Sequence, residues 1–297
     1  MMKINLCGKD LKSPLILGSG TLGERKEILV KSLGYGAGAV VTRTLRLDNT
    51  KREMFNPGYY IENEYMLNAD NNNITPWNYW VSAAGEVEKT GPIIISISAR
   101  HPEDCKTMVP AIENTSSPSF YELNFSCSHS ARIYGRIGYE NVEKALENIR
   151  QNTKKPVFLK LSLDNTDFDK LREIEHLFDA YVLSNTIGPG LKINIKSRKS
   201  VLGSFFGGLS GAAIKPLVMA RIWELKQQTK KPVIGVGGIE TAEDALEYLI
   251  LGCDAVQIYT AAHRRGVSVF REINSKMMTL LKDMNETVSS IRGTLKE

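Results

Sequence analysis

The sequence predicts a closed (β/α)₈ (TIM) barrel formed as one domain, residues 1–297, and three observations carry that prediction. Eight short apolar, β-branched runs recur with turn residues at their ends. Segments of helical spacing alternate with them. The runs are apolar on both faces, as in parallel strands covered by helices. An open doubly wound sheet is the alternative. The count of eight favours the barrel, as does the lack of a G-x-G-x-x-G opening a helix after the first run.

The strands are expected in PLILGSG from Pro14, AGAVVTRT from Ala37, PIIISISA from Pro92 and FYELNFS from Phe120. Four more lie in PVFLKLS from Pro156, AYVLSNT from Ala180, PVIGVGG from Pro232 and DAVQIYT from Asp254. Helical spacing is clearest over Val142 to Ile149, Phe168 to Phe178 and Ala242 to Leu251. Two insertions exceed a typical βα loop: about Leu45 to Pro76 after the second strand, and Ile187 to Gly208 after the sixth.

Composition removes several function classes. With 297 residues and 42% hydrophobic residues the chain can bury a large core. Its net charge of +5 is spread out, and the densest run, Lys196-Ser197-Arg198-Lys199, lacks the interleaved aromatics of a nucleic-acid platform. A solvated loop face is expected there. No apolar stretch approaches a membrane span, and the N-terminus is not a signal peptide, so a cytoplasmic protein is expected. The four cysteines, Cys7, Cys105, Cys127 and Cys253, form no C-x-x-C pair, so no metal site is expected.

Active sites of such barrels lie at the C-terminal strand ends. There the sequence offers Ser19-Gly20-Thr21, Arg43-Thr44, Ser96 to Ser98, Asn124 to Cys127, Lys160, Asn185-Thr186, Gly237-Gly238 and Tyr259-Thr260. Without facing carboxylates or a His/Asp/Glu cluster, the chemistry points to an organic cofactor. Gly237 and Gly238, ahead of a helix and beside Tyr259-Thr260, suit a phosphate-binding corner for a ligand such as FMN. A tight turn is the competing explanation of the glycines. Lys160, inside an apolar strand, needs a negative partner or a task. Three readings stay open: Schiff-base chemistry in an aldolase-like lyase, a seat against the flavin N1/O2 edge, or an ordinary ion pair.

The run Asn124-Phe125-Ser126-Cys127 resembles the Asn-x-Ser-Cys signature of the dihydroorotate dehydrogenase family, class 1. The likeness spans nearly the whole chain, through Gly18 to Thr21, Lys160, Ser184 to Thr186, Gly207 to Gly211 and Gly237-Gly238. It implies FMN at the barrel mouth. Lys160 would lie on the flavin ring, and Gly237, Gly238 and Thr260 around the phosphate. Gly208, Ser210 and Gly211 are further implied contacts, with Ser19, Gly20, Arg43, Thr44 and Tyr259 completing the cofactor site. Cys127 matches the family base that exchanges a proton at C5 of a dihydropyrimidine while a hydride passes between C6 and flavin N5. Ser126 is placed to hold or relay that proton. Asn68, Asn124, Asn185 and Thr186 match pyrimidine-binding positions, where carboxamides suit the amide-like ring edges.

Departures from the family pattern gather in the substrate pocket. Cys127 is followed by Ser128 and His129 rather than Pro-Asn, Arg43 stands where a lysine is usual, and Asp70-Asn71-Asn72 replaces a Gly-Leu pair. His129 and Asp70 are similar to dihydropyrimidine dehydrogenases, which act on uracil or thymine. Asp70 would repel the orotate carboxylate, whereas the Arg43 fork could grip it. A flavoprotein with a changed role is a third reading. The reduced flavin would pass electrons to a small soluble acceptor or to a separate subunit with FAD and an iron–sulfur cluster. A homodimer is implied by the resemblance, and neither nucleic acid nor membrane is expected as a partner.

Overall fold

The computed structural model describes residues 1–47, 56–69, 75–125, 137–163 and 166–296. Eight parallel strands close into a barrel: Leu15–Leu17 (β1), Ala39–Val41 (β2), Ile93–Ser98 (β3), Phe120–Asn124 (β4), Val157–Leu161 (β5), Ala180–Leu183 (β6), Val233–Val236 (β7) and Ala255–Ile258 (β8). Each pairs with its neighbours in sequence, and β8 pairs with β1 through Val256 and Leu15. All eight expected runs are strands. Nearly every strand residue is buried, because helices cover the outside while side chains fill the inside.

The main covering helices, in chain order, are Lys26–Gly34 (α1), Tyr79–Glu88 (α2), Asp104–Thr115 (α3), Tyr139–Arg150 (α4), Phe168–Ile174 (α5), Lys215–Gln228 (α6), Ala242–Leu251 (α7), Thr260–Arg265 (α8) and Val269–Asp283 (α9). The expected helix over Val142 to Ile149 is the centre of α4, which buries Val142, Ala145, Leu146 and Ile149 at spacings of three and four. Helix α5 ends earlier than its pattern suggests. Glu175–Leu177 tightens into a 3₁₀ turn that carries the chain into β6 while Phe178 packs edge-on against Tyr181. Helix α7 has the expected bounds, since a Thr241/Asp244 capping box starts it and left-handed Gly252 ends it.

The two ends of the barrel differ. A hairpin of Ile4–Leu6 and Lys9–Leu11 packs Leu6 and Leu11 into the core at the N-terminal end, where Cys7 Sγ lies 3.9 Å from the Asp179 carbonyl oxygen. At the opposite end the two insertions join. Tyr59–Ile61 and Met66–Asn68 from the first pair antiparallel with Gly207–Ser210 and Ile187–Gly190 from the second, in one four-stranded sheet. This sheet was hidden in the sequence, because IGPG and GGLS lack strand propensity and their pairing is long-range. The sheet sets Asn68 opposite Gly208 and brings Tyr59 Oη within 3.5 Å of Thr21 Oγ1, beside the end of β1.

Candidate active site

Alternation along β4 turns Glu122 and Asn124 to the same side, into the barrel. Glu122 meets Lys160 of β5 and Gln257 of β8 there, all three sealed from solvent. Lys160 Nζ donates to Gln257 Oε1 at 3.0 Å and lies 3.7 Å from Glu122 Oε1, while Gln257 Nε2 donates to Glu122 Oε2 at 2.8 Å. Lys160 therefore has the negative partner that its apolar strand demanded. Paired with a carboxylate, it lacks the purely apolar or cation-flanked setting that activates a Schiff-base lysine.

A hydrogen-bonded row crosses the mouth above this cluster. Ser96 Oγ donates to Glu122 Oε1 at 3.1 Å, Thr44 Oγ1 lies 3.1 Å from Ser96 Oγ, and Asn124 Nδ2 donates to Thr44 Oγ1 at 2.9 Å. Asn185 Nδ2 then donates to Asn124 Oδ1 at 3.0 Å, and the Thr186 N–H donates to Asn185 Oδ1 at 2.9 Å. Ser19 joins from β1, 3.4 Å from Thr44 Oγ1, while donating to the Thr42 carbonyl at 2.8 Å. Ser19, Thr44, Lys160, Asn124, Asn185 and Thr186 thus stand together as expected, with Asn68 on the sheet that reaches Gly208. Arg43 sits at the same rim, ion-paired with Glu24.

The glycine corner forms beside them. Thr260 Oγ1 donates to Ser210 Oγ at 2.9 Å, tying the start of α8 to the second insertion. Gly211, Gly237 and Gly238 have φ of 100°, 141° and 68°, and a Cβ on Gly238 would lie 2.6 Å from Lys215 Cβ. These three glycines give their backbone N–H groups to no acceptor among the described residues. Backbone N–H groups left without a protein acceptor, on glycines that admit close approach, fit a phosphate. At the N-terminus of α7, Asp244 accepts from the N–H groups of Glu240 and Thr241 at 2.9 Å each and pairs with Lys215. Tyr259 also differs from a bare backbone contact, since its hydroxyl accepts the Thr21 N–H at 3.0 Å and lies 2.7 Å from Thr21 Oγ1.

Ser126, Cys127, Ser128, His129 and Asp70 lie outside the described residues. Burial pushes the Cys7 and Cys105 thiols up to about 12 and raises Cys253 as well. Among the described residues no His/Cys/Asp/Glu group could hold a metal, and no helix is long and apolar enough to cross a membrane. Glu24, Glu122 and Gln257 escaped the reading of strand ends. The signal was present for the last two, because each is a polar residue inside an apolar strand, as Lys160 is.

A parallel eight-stranded barrel with polar side chains converging on its C-terminal mouth, beside a glycine-lined anion cradle, defines the class: a (β/α)₈ enzyme. The family model described as dihydroorotate dehydrogenase matches residues 1–281. The chain is 34% identical to the dihydroorotate dehydrogenase B (NAD(+)) catalytic subunit of Thermoplasma acidophilum, covering 95% of this chain and 94% of the relative. The protein of the same name from Pyrococcus furiosus is 34% identical over 98% of this chain and 96% of its own length. That of Methanocaldococcus jannaschii is 31% identical over 100% and 99%. This chain belongs to the dihydroorotate dehydrogenase family.

Proposed function

We propose that the chain is an FMN-dependent oxidoreductase that interconverts (S)-dihydroorotate, or a close dihydropyrimidine, and the corresponding pyrimidine in pyrimidine biosynthesis. The observation that carries this reading is the placement of two linked carboxamides, Asn124 and Asn185, above buried Lys160 in a chain of this family. Carboxamides match the alternating N–H and C=O edge of a pyrimidine ring. Asn68 and Thr186 border the same space, and Asp70, His129 and Arg43 are assigned to its substrate side. Gly208, Ser210, Gly211, Gly237, Gly238, Tyr259 and Thr260 would hold the cofactor phosphate end, and Ser19, Gly20, Arg43, Thr44 and Lys160 its ring side. FMN, when bound, supplies the hydride acceptor. Cys127 takes the C5 proton as the C6 hydride leaves the ring, with Ser126 holding that proton. A thiol is mostly protonated at neutral pH, so the surroundings must assist its loss.

Electrons leave through a separate subunit in this reading, in keeping with relatives named as catalytic subunits of an NAD(+) enzyme. That subunit would carry FAD and an iron–sulfur cluster, and the barrel, a single domain, would pair as a cytoplasmic homodimer. One observation favours a second reading, dihydropyrimidine dehydrogenase-type activity on uracil or thymine. The Arg43 ion pair with Glu24 offsets the charge that would grip the orotate carboxylate.

The test is anaerobic. Photoreduce the FMN-loaded protein, add orotate, uracil or thymine, and follow the flavin spectrum. Orotate should restore oxidised flavin, and Cys127→Ser should slow that step strongly. Protein that binds no FMN would sink the proposal.

A further inference from the structure

Glu122 is fully enclosed, and both its oxygens accept: Oε1 from Ser96 and Oε2 from Gln257. Counting protons fixes the direction of the chain that ends on it. Ser96 spends its hydroxyl proton on Glu122, so it accepts from Thr44 at 3.1 Å, a shorter contact than the 3.4 Å from Thr44 to Ser19, the competing acceptor. Thr44 has then spent its own proton and accepts from Asn124 Nδ2 at 2.9 Å. Asn124 is left with its carbonyl oxygen toward Asn185 Nδ2, and Asn185 turns its oxygen to the Thr186 N–H. Both ends are chemically unambiguous. A backbone N–H can only donate, and a carboxylate can only accept. The Lys160 ammonium lies 3.7 Å from the same Oε1, with Gln257 bridging it to Oε2.

We infer that Glu122 is a positioning residue for this site. Its charge at one end of the row and the Thr186 N–H at the other together fix which way the Asn124 and Asn185 carboxamides face, and so the donor and acceptor pattern offered to a pyrimidine. It also offsets the Lys160 charge beneath the cofactor. This rests on the proposed function, in which the two asparagines meet the ring and Lys160 meets the flavin.

Glu122→Gln keeps the shape, but its amide can donate to Ser96; the row is then driven by donors at both ends, the new amide and the Thr186 N–H, and one of its bonds must break. In FMN-loaded protein, Glu122→Gln should weaken orotate and uracil binding on the order of tenfold, the worth of one misplaced hydrogen bond, as read by perturbation of the flavin spectrum. With less charge opposing Lys160, the midpoint potential of bound FMN should become more positive, because the reduced, more negative ring is favoured. Ser96→Ala separates the two effects, and keeps the inference testable should Glu122→Gln fail to fold. It cuts the chain while leaving the carboxylate beside Lys160, so pyrimidine affinity should fall and the potential should hold. Wild-type affinity for orotate and uracil in these variants overturns the inference. If the wild-type holoprotein binds no pyrimidine, the proposed function falls by itself. An unshifted potential in Glu122→Gln then overturns the role of Glu122 independently.

Discussion

Arg43, at the C-terminal end of β2, is locked in an ion pair with Glu24, in the 3₁₀ turn after β1. Gly23 makes the approach feasible: a Cβ there would lie 2.6 Å from the Arg43 nitrogen, and its carbonyl accepts that N–H at 2.9 Å. The side chains are only 12% and 8% exposed. Arg43 and Lys160, two cations at the mouth, are each matched by an enclosed carboxylate. The charge that a carboxylated substrate would meet is therefore smaller than the arginine and lysine alone suggest.

Glu24→Gln is expected to destabilise the chain in urea unfolding, on the order of 3 kcal/mol at most, because it removes the carboxylate paired with a nearly buried guanidinium. The same variant should raise kcat/KM for dihydroorotate relative to dihydrouracil, since with the Glu24 charge removed the rim is more positive toward a carboxylate. An unchanged ratio would separate Arg43 from the substrate carboxylate.

Tyr259 staples the end of β8 to the turn after β1. Its ring occupies the space over Gly20, where a Cβ would lie 2.2 Å from the ring edge. Tyr259→Phe loses both contacts to Thr21 and should cost about 1–2 kcal/mol in thermal or urea unfolding. Gly20→Ala should cost more, since the ring itself must move. Burial raises the Tyr259 hydroxyl above its ordinary value of 10.0. The folded chain keeps a proton that the unfolded chain releases above that pH. This stabilisation is complete below 10.0 and declines as pH rises further, and Tyr259→Phe should make the alkaline loss less steep.

The barrel was legible because its evidence is local. Each of the eight strands is a contiguous run such as IIISIS or VFLKL, and turn residues punctuate them. The insertion sheet was not, because Gly208 and Asn68 become neighbours only through long-range pairing. Among the residues that gather at the mouth, Asn124, Lys160 and Asn185 were readable from motif and strand position. Glu24 was not, since a glutamate in a short turn looks solvated until Gly23 packs onto β2.

Thiol reactivity separates structural from chemical cysteines. Burial holds Cys7 and Cys105 as thiols, with values near 12, and raises Cys253 too, so none presents a thiolate at pH 8. Iodoacetamide at pH 8 should therefore modify one cysteine of the native protein rapidly, and peptide mapping should place it at Cys127. Rapid labelling of Cys253 would contradict its burial. The raised thiols also add to the alkaline decline: unfolded cysteines lose their protons from pH 9 upward, folded ones later, so stability falls over that range.

Gly208 joins the insertion sheet to Thr186, which follows β6. It pairs in register with Asn68, and a Cβ on it would lie 2.3 Å from Thr186 Oγ1 and 2.8 Å from Thr186 Cβ. Both obstructing atoms lie close to the Thr186 backbone, so no rotamer relieves the overlap. Gly208→Ala must push Thr186, and Asn185 with it, away from the insertion sheet. Overpacking of this kind costs about 1–3 kcal/mol, a modest fall in melting temperature for a chain with so large a barrel core. Ligand binding should suffer more, because displacing Asn185 alters its contact with Asn124. The measurement is orotate affinity of the FMN-loaded variant beside its melting temperature. Affinity should fall more than tenfold while the fold survives, and Gly208→Ala combined with Thr186→Gly should recover part of it by removing the obstructing atoms. Wild-type affinity in the single variant would show that the Gly208–Thr186 contact does not set the position of Asn185.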